Sequence, residues 1–391
     1  MTVRVAVVGA GRQGRNHLRS FSRLLTCAVT AVVDTDTDAA KAAAEPFGAR
    51  SAGELGAVLD DCDAVVVAVP SEHHLDATRT AMAAGKHVLV EKPVCHDYRD
   101  VIRAHQIAES KGLKTKVGLT FRYAPAVMYM FDLIRQGFIG KPFVFNGYEQ
   151  NSQWLNPDNP MDKRIHKVKP VGEAPWGVDF SREGIAVSSL EGYGAPTIDI
   201  GLECVGEDLK QVVGILSNMV PRRRRTNLDT ERERINIDDA DMFMAETRSG
   251  ALFSMQSSYV TVGNYPGIEA RIFGSEGAIK VRLVEEFGVI QTLHTAKPDA
   301  VEFVQREIPQ KYFPPGFQAT DPWSTAFYGN LVQNFCEEIV SGGSENQGNF
   351  AQSARVQEII NAVTVSHRQR RWVDLPLSRD SAGDTGQHGP F

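Results

Sequence analysis

The first fourteen residues set the terms for the rest of the chain. Val3-Arg4-Val5-Ala6-Val7-Val8 is a β-branched apolar run with no turn former in it, and it stops at Gly9-Ala10-Gly11-Arg12-Gln13-Gly14. A helix-compatible stretch follows, then a second apolar run, Val29-Thr30-Ala31-Val32-Val33, which ends at Asp34, 20 residues after Gly14. Strand, glycine-rich turn, helix, strand, acid is the order of a dinucleotide fingerprint. A G-x-G-x-x-G without those flanks would be an ordinary βα turn as easily as a binding site. Gly9 permits the tight turn, the missing Cβ of Gly11 lets backbone approach a pyrophosphate, and Gly14 lets helix and strand pack closely. The free N–H groups at the helix start favour phosphate. Asp34 is placed to accept both ribose hydroxyls and to repel a 2′-phosphate, so the pattern predicts NAD over NADP. Gly9, Gly11, Arg12, Gln13, Gly14 and Asp34 are the first candidate cofactor residues.

A chain of 391 residues is long enough for two domains with sizeable cores. Its net charge of −6 argues against a nucleic-acid surface. Five scattered cysteines (Cys27, Cys62, Cys95, Cys204 and Cys336) suit neither a disulfide framework nor, without a C-x-x-C, a structural zinc site, so no metal is expected. The opening strand is preceded by no export signal, and no run of 18 apolar residues occurs. A cytoplasmic protein with no membrane partner is the expectation.

The first third continues in β-α units. Ala39 to Phe47 reads as a helix closed by Gly48, and Cys62 to Val69 as a strand apolar on both faces, as a central parallel strand is. That strand delivers Pro70-Ser71-Glu72-His73-His74 to the carboxyl edge of the sheet, where open α/β sheets bind ligands. Pro70 and His74 therefore join the cofactor candidates, against the plainer reading of an exposed turn. After a helix from Leu75 to Gly85, the strand His87-Val88-Leu89-Val90 ends at Glu91-Lys92-Pro93. Asp100 to Gly112 is helical and Lys116 to Leu119 a further strand, which makes a doubly wound parallel sheet. A lysine at such a strand tip tends toward a lowered pKa and can give or take a proton. The competing reading pairs Lys92 with Glu91 for solubility.

Taken together, Gly9-x-Gly11-x-x-Gly14, Asp34, Pro70-x-x-x-His74 and Glu91-Lys92-Pro93 resemble the glucose–fructose oxidoreductase/inositol dehydrogenase/rhizopine-catabolism family, in order and in spacing. The Glu-Lys-Pro element is the specific part. Phe121-Arg122-Tyr123-Ala124-Pro125, Arg271 to Ala278, and Gln357 to Ser366 followed by Val373-Asp374-Leu375-Pro376 extend the resemblance over most of the chain. It implies a nicotinamide-dependent dehydrogenase acting on secondary hydroxyls of sugars and cyclitols, with Lys92 binding the reacting hydroxyl and Glu91 and Lys92 beside the cofactor. It also implies an NAD-binding Rossmann domain over residues 1–122 and a substrate-binding, oligomer-forming α+β domain over 123–377. The closing helix near 351–367 is expected to pack back toward the first domain, and 378–391 to be a disordered tail.

The second half reads as a helix from Val127 to Gly137 and then as short strands with hairpin-like turns, beginning at Phe143 to Tyr148 and ending at Phe287 to Thr292. A large, mostly antiparallel open sheet follows. One face is expected to carry helices and the other to join subunits into a dimer or tetramer. Two long loops, Gln150 to Pro196 with Trp154, His166 and Trp176, and Pro309 to Trp323, are the candidate substrate lids. Arg222-Arg223-Arg224-Arg225 lies near Asp229, Glu231 and Glu233 and reads as a self-neutralised loop. The stretch Gly192 to Glu203 resembles the family's D-x-G-x-H helix, with Asp199 and Gly201 matching and Glu203 standing where the family has histidine. Spacing of four puts Asp199 and Glu203 on one helical face, and two carboxylates in a closed cleft raise one another's pKa toward general-base range. Catalysis is therefore assigned to Lys92, Asp199 and Glu203. Arg122, Tyr148, Trp154 and Tyr193 are assigned to the substrate, Tyr123, Tyr148 and Tyr193 being the reserve bases. Oxidation at carbon 3 of a glucoside is one case the resemblance suggests. Its rivals are an NAD-using glycosidase of the same family and a non-catalytic sugar sensor on the same fold.

Overall fold

Val3, Val5, Ala6 and Val7 have no exposed surface, because the strand they form is covered on both faces. In the computed structural model, which describes residues 2–159, 189–224, 228–234, 237–263, 267–284, 291–318, 321, 323–343 and 348–377, that strand sits near the middle of a six-stranded parallel sheet. The sheet alternates with helices along the chain: β1 (Val3–Val8), α1 (Arg12–Phe21), β2 (Cys27–Val33), α2 (Thr37–Ala44), β3 (Arg50–Ala52), β4 (Ala64–Val67), α3 (His74–Ala83), β5 (His87–Val90), α4 (Tyr98–Ser110) and β6 (Thr115–Val117). Spatial order is β3-β2-β1-β4-β5-β6, so the winding reverses between β1 and β4. A doubly wound sheet opens its ligand crevice at that reversal, outside the carboxyl ends of the strands. The helix starts are set locally. Asp36 accepts from the Asp38 and Ala39 amides at 3.1 and 3.0 Å, and Asp97 accepts from the Arg99 amide at 2.8 Å. α5 (Pro125–Arg135) then leaves this sheet.

The second sheet has nine strands. Its members are β7 (Pro142–Gln150), β8 (Leu209–Ser217), β11 (Ala240–Thr247), β12 (Leu252–Ser258), β13 (Gly267–Gly274), β14 (Ala278–Val284), β15 (Gln291–Ala296), β16 (Val304–Arg306) and β17 (Val373–Asp374). β9 (Arg222–Arg223) and β10 (Glu233–Arg234) form a separate hairpin. The order β16-β15-β14-β13-β7-β12-β11-β8-β17 is antiparallel throughout except for β7 against β12, which run parallel. Of the last expected strand, Phe287 to Thr292, residues 287–290 lie outside the described residues, and β15 is described from Gln291 on. One face of the sheet is covered by α6 (Ala195–Val205). A Cβ at Gly147 would stand 2.7 Å from Thr197 Cγ2, and one at Gly201 would stand 2.6 Å from Phe145. Phe145, Gly147 and Glu149 face α6 and are buried, so by strand alternation Asn146 and Tyr148 face the other way.

The chain divides into two units, Met1–Tyr129 with Ile308–Arg355, and Met130–Glu307 with Val356–Phe391. The helix that returns to the first unit is α7 (Trp323–Ser341), which packs on α1. Most of α8 (Phe350–Gln369) counts with the second unit. The expected tail, 378–391, lies outside the described residues, as do His166 and Trp176. No helix among the described residues is long and apolar enough to cross a membrane.

Candidate functional site

The glycine turn is built to leave space above it. Gly9 has φ +104, which only glycine adopts without strain, and a Cβ there would meet the Ala68 carbonyl at 2.5 Å. A Cβ at Gly14 would stand 1.8 Å from the Gly9 carbonyl oxygen, so helix and strand close only on glycine. At Gly11 the same test finds nothing within 4 Å. The backbone there is bare on the side a phosphate would approach, and α1 starts on Gly11 with no side-chain cap on its free amides. Asp34 braces the turn: Oδ2 accepts from the Ala10 amide at 2.7 Å and Oδ1 from the Asp36 amide at 3.0 Å. Each oxygen keeps a second lone pair, the number that two ribose hydroxyls require. These residues fit a dinucleotide.

Two neighbouring strand ends complete the first unit's contribution. Pro70 precedes a short turn, Ser71–His73, and His74 is buried, its Nδ1 2.6 Å from the Pro93 carbonyl and its Nε2 2.8 Å from the Val69 carbonyl. His74 thus ties the end of β4 to the end of β5. Glu91 is likewise turned inward. Its Oε1 lies 2.9 Å from His17 Nε2 and 3.3 Å from the Tyr328 hydroxyl, and Gly118 leaves room for Oε2, since a Cβ there would come within 2.6 Å of it. Burial alone would raise the Glu91 pKa, but the bond and charge of His17, with Lys92 and His74 nearby, bring it below the ordinary value, so Glu91 stays ionised. Lys92 is half-buried at the tip of β5, and the bond to Pro93 is cis. Glu91 faces inward while Lys92 follows it at the tip, as alternation along the strand dictates.

In the second unit, α6 carries the two expected acids to different surroundings. Asp199 is fully buried. Glu203 is part-exposed and lies 3.7 Å from the Arg135 guanidinium at the end of α5. The charge facing Glu203 is thus an arginine delivered by another helix. The start of this segment is fixed by Asp238, whose carboxylate accepts from the Ser189 and Leu190 amides at 3.0 and 2.9 Å. A π-helical turn, Leu190–Gly194, leads from there into α6. Tyr193 donates to Gln153 Oε1 at 3.2 Å and meets the Tyr259 ring edge-on at 5.1 Å. Trp154 sits nearby, its backbone bonded to Tyr259 and its carbonyl accepting from Arg223. Tyr148 is placed apart: it is on the sheet face opposite α6, under the Arg271 guanidinium at 5.6 Å. Arg122 is buried in the first unit, packed against Gly348, and Tyr123 is buried beside it, its carbonyl accepting from Asn330.

The arginine run is structural in the main. Arg223 is wholly buried against Asp239 at 2.9 Å, and Arg224 and Arg232 share Asp158. Asp241, beside Asp238, is held well above the usual carboxylate range by burial and by that neighbour's charge. The expected lid at Pro309 to Trp323 begins with an anchored turn, Gln310–Tyr312, whose Tyr312 is buried against Tyr129, while residues 319, 320 and 322 lie outside the described residues. Reading the sequence missed His17, Tyr328 and Asp238. His17 stands three residues after Gly14 on the same helical face, a usable signal. Tyr328 had none, since its partner Glu91 is 237 residues away.

Residues 3–119 match the model of an oxidoreductase family with an NAD-binding Rossmann fold. The chain is 34% identical to inositol 2-dehydrogenase 3 of Saccharopolyspora erythraea over 289 residues, which cover 72% of this chain and 73% of that one. It is 24% identical over 404 residues to levoglucosan dehydrogenase of Pseudarthrobacter phenanthrenivorans, covering 95% and 98%. Among solved structures, an NAD-binding oxidoreductase from Klebsiella pneumoniae superposes with a TM-score of 0.82 at 22% identity, covering 97% of this chain and all of that one, which shows a common fold. With the bare glycine turn, its bracing aspartate and the Glu-Lys-Pro strand tip, these likenesses show that the chain belongs to the NAD-binding Rossmann oxidoreductase family that includes the inositol 2-dehydrogenases.

Proposed function

We propose that the protein is an NAD-dependent dehydrogenase that oxidises a secondary hydroxyl of a sugar, glycoside or cyclitol. The observation that carries this reading is the pairing, within one unit, of a turn fit for a dinucleotide with a lysine at the neighbouring strand tip. The names of the relatives, inositol and levoglucosan dehydrogenases, support a polyol or anhydrosugar substrate. Gly9, Gly11, Gly14 and Asp34 would hold NAD, with Arg12 and Gln13 at the helix start. When bound, NAD supplies the hydride acceptor for the carbinol carbon. Lys92 binds the reacting hydroxyl oxygen and favours loss of its proton. Asp199, buried on α6, is the proposed proton acceptor. Glu203 is given no chemical step, because its charge is already answered by Arg135.

The first unit is assigned the cofactor and the second the choice of substrate. The sheet face away from α6 exposes Ile215, Met242, Met244 and Leu252, each between 44% and 58% accessible, and we assign it to contact with further copies of the chain. Among the described residues no disulfide joins the five cysteines, which suits a reducing compartment, and we assign the cytoplasm.

The test is direct. Purified protein is mixed with NAD and, in turn, myo-inositol, levoglucosan, glucosides and simple sugars, and NADH is followed by absorbance. Growth of NADH in step with one of these supports the proposal. Product without net NADH, or binding without turnover, overturns it in favour of a glycosidase or a sensor.

A further inference from the structure

One hydroxyl joins the lysine-bearing strand tip to the dinucleotide helix. Tyr328 comes from α7, more than 200 residues after either partner, and is almost fully buried. Its hydroxyl lies 3.3 Å from Glu91 Oε1 and 3.2 Å from Gln13 Oε1. Gln13 occupies the first turn of α1, within the glycine fingerprint. Asn16, one turn on, donates to Gln13 Oε1 at 2.9 Å. The phenol has a single hydrogen, and an ionised carboxylate is a stronger acceptor than an amide. Burial and the charge of Glu91 keep Tyr328 protonated, and Glu91 stays ionised. The hydrogen therefore leans toward Glu91 and is shared with Gln13 Oε1, which faces the same hydroxyl. The Tyr328 ring also meets His17 edge-on at 5.1 Å, and His17 bonds the same Glu91 oxygen.

We infer that Tyr328 is a positioning residue that holds Lys92, through Glu91, in register with the NAD-binding start of α1, through Gln13. The inference rests on the proposed function for its kinetic arm only. Its consequence is coupling: loosening the phenol should weaken NAD binding and slow turnover together, although Tyr328 is assigned contact with neither NAD nor substrate. Packing alone would not do this, because the ring's contact with His17 survives in phenylalanine.

The experiment compares wild type, Tyr328→Phe, Glu91→Gln and the double variant. Kd for NAD is read by titration calorimetry without any sugar, kcat and KM with the substrate found in the screen, and the melting midpoint beside them. Tyr328→Phe should raise Kd for NAD and lower kcat, each about tenfold, about the effect of one hydrogen bond to a charged group, with KM for the sugar nearly unchanged. The double variant should be no worse than the poorer single one, since both cut the same link. Kd and kcat within twofold of wild type, a melting shift alone, or strictly additive losses would each overturn the inference. A wild type that binds NAD but oxidises no polyol defeats the proposed function instead, and the Kd arm still decides Tyr328.

Discussion

Replacing Asp34 by serine should change which dinucleotide the protein uses. The carboxylate is held still by the Ala10 and Asp36 amides at 2.7 and 3.0 Å, so it does not swing away to relieve repulsion. A phosphate on the ribose 2′ oxygen would put its charge within about 5 Å of an acid that binds that oxygen, which costs about 3 kcal/mol at an effective dielectric constant of about 20. Wild type should therefore favour NAD over NADP by about 100-fold or more in kcat/KM. Asp34→Ser removes that repulsion and also the charged acceptor for the ribose hydroxyls, worth about 1.5–3 kcal/mol. Use of NAD should fall about 10- to 100-fold while use of NADP rises. A residual bias toward NAD should persist, because Asp36 remains at the strand end as the cap of α2. The assay is initial rate against each dinucleotide at saturating sugar, with melting midpoints to separate a loosened turn from altered recognition. An unchanged NADP-to-NAD ratio in a folded variant would refute the role given to Asp34, as would a wild type that prefers NADP.

Lys92→Met should lower kcat by about 100-fold or more while Kd for NAD stays within a few-fold, since general acid–base partners contribute on that scale; near-normal kcat would remove Lys92 from the chemistry. Asp199→Asn and Glu203→Gln should separate cleanly. The first should cost about 100-fold in kcat. The second should cost less than about fivefold, because the Arg135 pair is partly exposed and such pairs are worth about 1 kcal/mol or less; the reverse ranking in a pH–rate series would sink the assignment. Arg223→Met should destabilise by about 3–5 kcal/mol in urea melts, since it leaves Asp239 buried without its cation; a change under 1 kcal/mol would mean that the amides of Met219 and Val220 suffice for Asp239. Lys116 is buried against Glu338 at 2.7 Å, and burial lowers its pKa from 10.5 to about 8, below the unfolded value. The folded chain thus sheds that proton first, and the part of stability owed to Lys116 should rise by about 2–3 kcal/mol between pH 8 and 10.5. Lys116→Met should abolish that rise when both are melted across the range; equal slopes would refute it.

What the sequence told, and where it stopped, follows from the range of the interactions. The fingerprint turn, the buried strands and the capped helices depend on neighbours within a few residues, so β1, α1, Asp34 and the strand tip at Lys92 were legible. The strands of the second sheet were legible too, but their facing was not. Phe143-Val144-Phe145-Asn146-Gly147-Tyr148 alternates in both phases with an aromatic, and only α6, whose Thr197 needs the space at Gly147, decides that Tyr148 faces away. Helical spacing placed Asp199 and Glu203 on one stripe and said nothing of Arg135, which arrives from a helix some 70 residues earlier. The same limit hid Tyr328 from Glu91.

The departure at position 203 also looks different once its partner is known. Arg135 on a neighbouring helix puts its guanidinium 3.7 Å from the Glu203 carboxylate. We propose on that ground that Glu203 does not take over the work of the histidine in whose place it stands. Asp199, with no exposed surface on the same helix, is the acid we propose for that work instead. The Asp199→Asn against Glu203→Gln comparison bears on that choice more sharply than any single loss of activity.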